Sequence, residues 1–333
     1  MPRYTIEEAV ILANRAILAA GASQATAEAL ADAVVAAEIS GHRAVGFTHL
    51  IDYLDGFKTG RIARNARPDI TYPTPVAISV DAKDGVAQLG FDLAFKEVVQ
   101  KAREYGISLF LQANSYTVGE LSYYTRRLAV EELLAIATSN SPAMVTTDEV
   151  RQPLFGTNPM SFAAPVASGS PLVIDQASSA TAFVNIRDAA ARGAPIPSGW
   201  ALDADGKPTA SPADALKGLL LPFGGSRGAN IALMVEVLSA GLAGGKWSID
   251  VPSFNAGSQP LRVGLFITAI DPATVAPDFQ MRLADNLEQL AAKGLYLPGR
   301  KPRPGHVDID ENLALQLLDV DRTASIRALG NKL

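Results

Sequence analysis

RQPLFGTNPMSFAAPVASGSPLVIDQASS, running from Arg151 to Ser179, is the stretch that decides the fold. Phe155-Gly156-Thr157-Asn158-Pro159 puts a residue without a Cβ, two small polar side chains and a proline into one turn. Gly is free in φ and Pro fixes it, so such a turn brings backbone close to a ligand. An apolar run from Met160 to Val166 follows and is expected as a buried strand. A second, Pro171 to Ile174, ends on Asp175 and then Ser178-Ser179. A carboxylate and two hydroxyls at a strand exit suit a ligand site in an α/β protein. The competing interpretation is a tight turn between two core strands.

The flanking segments keep the same alternation. Upstream, Thr5 and Glu8 form a capping box for a helix to about Ala22, and Ser23 or Thr26 caps a second one to about Ile39. Phe47 to Phe57 has helical spacing, and Phe91 to Tyr105 and Val118 to Val130 are also expected as helices. Ile107 to Gln112 and Leu134 to Thr138 are expected as strands that exit into Ala113–Thr117 and Ser139–Ser141. Downstream, helices are expected over Ala180–Arg192, Ala229–Ala243 and Pro277–Lys293, with a strand over Leu261–Ile270. The tail from Asn312 to Leu333 is expected to be helical and to fold back on the N-terminal pair. Strands alternating with helices indicate an α/β fold.

With 333 residues, 48% of them hydrophobic and 19% charged, the chain can bury a large core. A net charge of −5 argues against nucleic-acid and anionic-membrane partners. The absence of Cys excludes disulfides, thiolate chemistry and iron–sulfur clusters. Met1 precedes a capped helix rather than a signal segment, and no apolar run is long enough to span a membrane, so the cytoplasm is the expected location. Three His without a closely spaced pair give no ligand set, so no metal is expected. Asp203-Ala204-Asp205-Gly206 lacks the later Glu of a calcium loop and is expected as a hairpin turn.

Gly224-Gly225-Ser226-Arg227-Gly228 opens a helix, offering free backbone N–H groups, a positive helix end and a cation to an anion. Alone, the same residues also describe a glycine-rich packing turn. No Gly-x-Gly-x-x-Gly occurs, so the usual Rossmann fingerprint is missing.

Gly-Thr-Asn-Pro, then Asp-x-Ala-x-Ser, then Pro-x-Gly-Gly-x-Arg-Gly before a helix resemble the type 2 malate/L-lactate dehydrogenase family, which is not Rossmann-type. RQPLFGTNP and LLPFGGSRG are most similar to its Δ1-piperideine-2-carboxylate/Δ1-pyrroline-2-carboxylate reductases. The resemblance implies a helical lobe from residues 1–75 joined by 300–333, a connecting α/β part over 76–120, and a mixed-sheet NAD(P)H lobe over 121–299. It also implies a homodimer with the active site near the subunit boundary. The implied cofactor residues are Asn140, Ser141, Thr157, Asn158, Pro159, Asp175, Ala177, Ser178, Ser179, Ser226, Arg227, Pro298, Gly299 and Arg300. Arg187 or Arg192 could read a 2′-phosphate, so NADPH is expected ahead of NADH.

The resemblance breaks at the catalytic positions. The family pattern Gly-x-x-Ser-His-Gly-x-x-Arg-x-x-x-Tyr here becomes Gly41 to Tyr53, with Ala44-Val45 for Ser-His and His49 for Arg. In the family's Ser-x-His-x-Gly, Thr117 stands for the second histidine. Reducing a ketone needs a proton with the hydride, whereas a cyclic imine can arrive already protonated as an iminium. The expected function is therefore NAD(P)H-dependent reduction of a small C=N substrate, a cyclic imino acid or relative. The alternatives are a 2-oxo acid/2-hydroxy acid dehydrogenase with a relocated acid, and a non-catalytic cofactor-binding relative. Candidate catalytic residues are His49, Tyr53, Tyr116 and Thr117, with His49 favoured because it lies one helical turn from Tyr53. His42, Arg43, Val45, Arg151 and Met160 are the candidate substrate contacts.

Overall fold

A computed structural model describes residues 1–330, apart from 148 and 255. A short strand β1 (Arg3–Thr5) leads into helix α1 (Ile6–Ala19), where Thr5 accepts from the Glu8 N–H and the Glu8 carboxylate caps the Thr5 N–H in return. Helix α2 (Gln24–Ser40) is capped by Ser23 and ends at Gly41, whose φ of 86° is the left-handed value glycine tolerates. A 3-10 turn (Arg43–Val45) and helix α3 (Phe47–Thr59) complete the N-terminal helices.

Strands β2 (Asp69–Thr74) and β3 (Ala77–Asp81), helix α4 (Ala87–Tyr105), β4 (Ile107–Ser115), helix α5 (Ser122–Val130) and β5 (Leu134–Ser139) follow. The Arg151–Ser179 stretch supplies β6 (Met160–Ala164) and β7 (Leu172–Gln176), as its two apolar runs predict. Helix α6 (Phe183–Arg192), β8 (Ala201–Leu202), α7 (Pro212–Ala215) and β9 (Leu219–Leu220) form an excursion. Then come α8 (Ser226–Glu236), β10 (Val263–Ile270), α9 (Phe279–Ala292), β11 (His306–Asp308) and α10 (Glu311–Gly330).

The main sheet has seven strands in the order β2-β3-β4-β10-β5-β6-β7. Only β3 and β4 run parallel; the other neighbours are antiparallel, so the fold is α/β with a mixed sheet. Alternating burial along β4 turns Phe110 inward, where its ring meets Phe91 of α4 edge-on at 5.5 Å. One buried cluster runs from α1 and α2 through α3, α4 and α5 into β10. A separate small core of Val145, Ile186, Ile196, Ala201 and Leu220 supports the excursion.

Helix α10 packs on α1, and β11 pairs with β1, so the tail returns to the N-terminal helices as expected. Residues 331–333 of the expected tail helix lie outside the described residues. β1 and β11 are too short to leave a periodic signal. The expected helix Ala229–Ala243 is instead α8 followed by a π turn over Val237–Leu242. That wider turn sets Ser239 Oγ 2.9 Å from Thr138 Oγ1 and presses the Ser239 carbonyl against Gly264, where a Cβ would lie only 1.7 Å from it. Asp203–Gly206 is a turn as expected, with the Asp203 carboxylate accepting the Asp205 and Lys207 N–H groups.

Candidate active site

Three elements bring charged groups together at the N-terminus of α5. Gly119, at φ 70°, turns the chain leaving β4 so that the next residue, Glu120, faces inward. The Glu120 carboxylate is buried and its Oε1 lies 2.8 Å from His42 Nδ1, which comes from the loop after α2. Ser122 donates its hydroxyl to the same Oε1, and its backbone N–H donates to Asp175 Oδ2 at 2.7 Å. Asp175 stands near the end of β7, as the strand-exit argument expects. Ligand atoms of His42, Glu120 and Asp175 all lie within 4.8 Å of one another.

The electrostatics of this cluster are unusual for a surface cleft. Burial pushes the Asp175 carboxyl up to about 7, and the neighbouring Glu120 charge adds to that, against hydrogen bonds from the α5 backbone and the pull of His42. His42 is raised, first by its hydrogen bond to Glu120. Among the described residues Glu120 Oε2 is buried without a hydrogen-bond partner, and so is Arg126 Nε on α5. Sequence patterns showed no ligand set, yet the fold assembles one histidine and two carboxylates.

The four candidate catalytic residues also converge, in a second network. His49 Nδ1 lies 2.7 Å from Asp52 Oδ2 and Nε2 lies 2.8 Å from Thr117 Oγ1. Tyr53 donates to the Thr117 carbonyl at 2.8 Å and its ring meets His49 edge-on. Its phenol is pushed up to about 12 by burial. Tyr116 is buried, donates to the Phe254 carbonyl and is raised by burial. Both ring nitrogens of His49 and the hydroxyls of both tyrosines thus have protein partners. This network holds α3 to the loop after β4, beside the charged cluster.

Among the candidate substrate contacts, His42 alone joins that cluster. Arg43 is exposed and 3.9 Å from Glu38, and Val45 sits half-buried in the 3-10 turn. Arg151 is exposed against the Asp203–Gly206 turn. Met160 begins β6 opposite Gln176, half-buried.

The cofactor candidates divide into tethers and open groups. Asn140 gives its amide to the Lys246 carbonyl and accepts the Gly264 N–H, so both ends are used. Asn158 is fully buried at φ 37° and donates to Ala232 O and to Glu236 of α8. Thr157 donates its N–H to the Ser141 hydroxyl oxygen, and its carbonyl accepts from the Ser178 N–H and hydroxyl. Pro159 accepts the Ser139 N–H, while Ser179 donates to the Thr181 carbonyl. Ala177 lies half-buried between Asp175 and Ser178. Gly299, at φ 74°, seats its turn on β7, where Pro298 accepts the Val173 N–H and Arg300 donates to the Ser168 and Ser170 carbonyls.

The open groups surround α8. Gly224 and Gly225 have φ of 58° and 64°, nothing lies within 4 Å of where their Cβ atoms would be, and no side chain caps the helix. Ser226 and Arg227 are exposed in the first turn. Free N–H groups, a helix end and a guanidinium together fit a phosphate. Arg187 and Arg192 are exposed on α6, with Arg192 bonded to the Asp188 carbonyl.

The profile of the malate/L-lactate dehydrogenase family matches residues 4–303. The chain belongs to the malate/L-lactate dehydrogenase family. This family member is 34% identical over 320 residues to the (2R)-3-sulfolactate dehydrogenase (NADP(+)) of Chromohalobacter salexigens, covering 95% of this chain and 96% of that one. It is 35% identical over 301 residues to the Δ1-pyrroline-2-carboxylate/Δ1-piperideine-2-carboxylate reductase of Pseudomonas putida, covering 89% and 88%. Its fold superposes with a TM-score of 0.91 on Δ1-piperideine-2-carboxylate reductase from Pseudomonas syringae, at 31% identity over 96% of this chain and 100% of that one.

Val45 and Thr117, the positions at which the resemblance implies histidines, border the charged cluster in sequence. Val45 lies three residues after His42, and Thr117 three before Glu120. Glu120, Ser122 and Arg126 went unnoticed in the sequence. The available signal was Glu120 itself, the one charge between Ala113 and Leu121, which the expected helix over Val118–Val130 took in although α5 begins only at Ser122.

Proposed function

We propose that this family member is an NADP(H)-dependent reductase of cyclic imino acids, with Asp175 as the acid that serves the substrate nitrogen. The observation that carries the reading is the Asp175 carboxyl, half-buried and pushed up to about 7, in a site without either family imidazole. A carboxyl in that range holds a proton near neutral pH for an imine nitrogen, which is basic enough to take it before the hydride arrives, whereas a ketone oxygen becomes basic only as its alkoxide forms. The kinship with reductases of two cyclic imino acids supports the same class.

The dinucleotide would lie along the 121–299 lobe, with its phosphates at Gly224–Arg227 and its remaining contacts along Thr157 to Ser179. NADP(H) is favoured over NAD(H) by the cofactor named for the sulfolactate relative and by the exposed Arg187 and Arg192. Bound there, the nicotinamide supplies the hydride. The chain orients the substrate, excludes water and presents the Asp175 proton. His49 is a structural bridge between Asp52 and Thr117 in this reading, not the acid.

The test is nucleotide oxidation by the purified protein with NADPH and NADH. Substrates are Δ1-piperideine-2-carboxylate, Δ1-pyrroline-2-carboxylate and their open-chain 2-oxo acid counterparts, with (2R)-3-sulfolactate and NADP+ in the reverse direction. The expected result is imine turnover with NADPH, and retention of it within about 5-fold in His49→Gln. Sulfolactate oxidation without imine turnover, or a ketone activity abolished in His49→Gln, would overturn the assignment.

We also infer a homodimer. Leu233, Met234, Val237, Leu242, Trp247 and Ile249 are exposed apolar side chains on and after α8, more than a monomer leaves together without use. Sedimentation equilibrium should give about twice the 35.0 kDa chain mass; a monomer at micromolar concentration refutes it.

A further inference from the structure

The acid of the proposed reaction does not stand alone, and its neighbours differ sharply in access to water. The His42 side chain is 46% exposed, whereas that of Glu120 is 1% exposed. Ser122 reaches both carboxylates at once, O–H to Glu120 and N–H to Asp175, and so fixes their separation. Three separate parts of the chain meet here: the loop after α2, the loop after β4 and the end of β7.

Taking the reductase reading of this site as given, we propose that Glu120 and His42 are positioning residues for Asp175: the Glu120 carboxylate keeps Asp175 in its acid form, and His42 is the exposed end at which the cluster takes up protons. Two carboxylates this close in a partly dry site do not both ionise easily, so one negative charge on Glu120 favours the neutral acid next to it. Glu120 is the one to carry the charge, because His42 and the Ser122 hydroxyl both bond its Oε1. Its Oε2 has no donor among the described residues, so no hydrogen bond offsets the charge on that oxygen. The other charges facing the group are Arg126, towards His42 and Glu120, and Arg303, towards Glu120. Neither forms an ion pair with Glu120 among the described residues, so the charged contact that Glu120 does make there is with His42.

The proton balance closes. The Asp175 O–H bond breaks as the substrate N–H bond forms, and the nicotinamide hydride goes to the imine carbon, which is reduced while the nucleotide is oxidised. Asp175, now a carboxylate, regains its proton from the cluster, and His42 exchanges with water.

The experiment measures kcat/KM for Δ1-piperideine-2-carboxylate from about pH 5 to about pH 9 in wild type, Glu120→Gln and His42→Gln. Unfolding temperature and NADPH fluorescence titration serve as folding controls. In Glu120→Gln the limb that falls with rising pH moves down by about one unit or more, so the rate drops ~10-fold near pH 8 and stays within ~2-fold near pH 5. In His42→Gln the limb moves up, because a cation that favours the Asp175 anion is gone. A purely structural role would lower the rate by one factor at every pH. An unmoved limb in both variants, or movement in the same direction, overturns the proposal. So does loss of wild-type turnover in EDTA that returns with a divalent cation, which would make the three groups metal ligands.

Carboxyl 13C titration of aspartate-labelled protein, assigned with Asp175→Asn, reads the same shifts without any substrate. If wild type reduces no imine while Asp175 titrates near neutrality and falls in Glu120→Gln, the reductase reading fails and the pair stands. If imines are reduced and the Asp175 titration is the same in all three proteins, the pair fails and the reductase stands.

Discussion

Asp175→Asn lowers kcat/KM for cyclic imine reduction by about 10²–10⁴-fold near neutral pH, the range a positioned general acid supplies. Asparagine keeps the shape, and its carbonyl still accepts the Ser122 N–H that now reaches Oδ2 at 2.7 Å. Only the transferable proton is lost. Stability moves the other way. Burial raises the carboxyl from 3.8 to about 7, so between those values the folded protein holds a proton that the unfolded chain has released. The associated stability is fully present below about pH 4, is lost as the pH rises through about 7, and stays lost above it. Asparagine never ionises. The variant should therefore melt above wild type near pH 8, with the gap closing near pH 4. Scanning calorimetry at both values, beside the kinetics, tests this. A variant that retains turnover within about 3-fold of wild type would remove Asp175 from the chemistry.

The second large effect falls on Asn158, and it is one of folding. Its amide gives two hydrogen bonds, 2.9 Å to the Ala232 carbonyl and 2.7 Å to Glu236 Oε1. Glu236 is itself buried, and its other donors are the Ser248 N–H and hydroxyl. Asn158→Ala removes one donor from a buried carboxylate and a second donor from the Ala232 carbonyl, which stays bonded within α8, and together these cost about 3 kcal/mol. The positive φ, which Asn tolerates and Ala resists, adds about 1 kcal/mol. The expected loss is on the order of 5 °C or more in unfolding temperature. Asn158→Asp should be worse, because it places a second carboxylate against Glu236. NADPH affinity should weaken in the folded fraction, since these bonds fix the Thr157–Pro159 turn to the helix that begins at Ser226. Thermal melts of the two variants decide it: an Asp variant as stable as wild type would mean that Glu236 carries no charge to protect.

These two residues also show how far the sequence could be read. Strand exits into polar residues located Asp175, because where a buried run ends is a local property. The resemblance, not the strand exit, implied Asn158 as a cofactor contact, and its amide is spent as a tether to α8. Polarity within a turn does not say whether an amide faces a ligand or a buried carboxylate seventy-eight residues later. His49, Tyr53, Tyr116 and Thr117 do meet, with His49 and Tyr53 one helical turn apart, yet the network consumes its own donors. Glu120 eluded the sequence because its significance arises only when β7 brings Asp175 beside it. Helices and long strands were legible from periodicity. The three-residue strands β1 and β11 were not, since a pairing across 305 positions leaves no local pattern.

That terminal strand pair bears on how the protein is made. Tyr4 pairs with Val307, and α1 packs on a helix that begins only at Glu311. During synthesis the first helices therefore leave the ribosome long before the segment that covers them. Ala9, Leu12, Ala13 and Ile17, all buried in the finished fold, have only part of their packing until then. A nascent chain in that condition presents an apolar face to chaperones and to other nascent chains, and its N-terminal layer is completed only after the last strand and helix have been released.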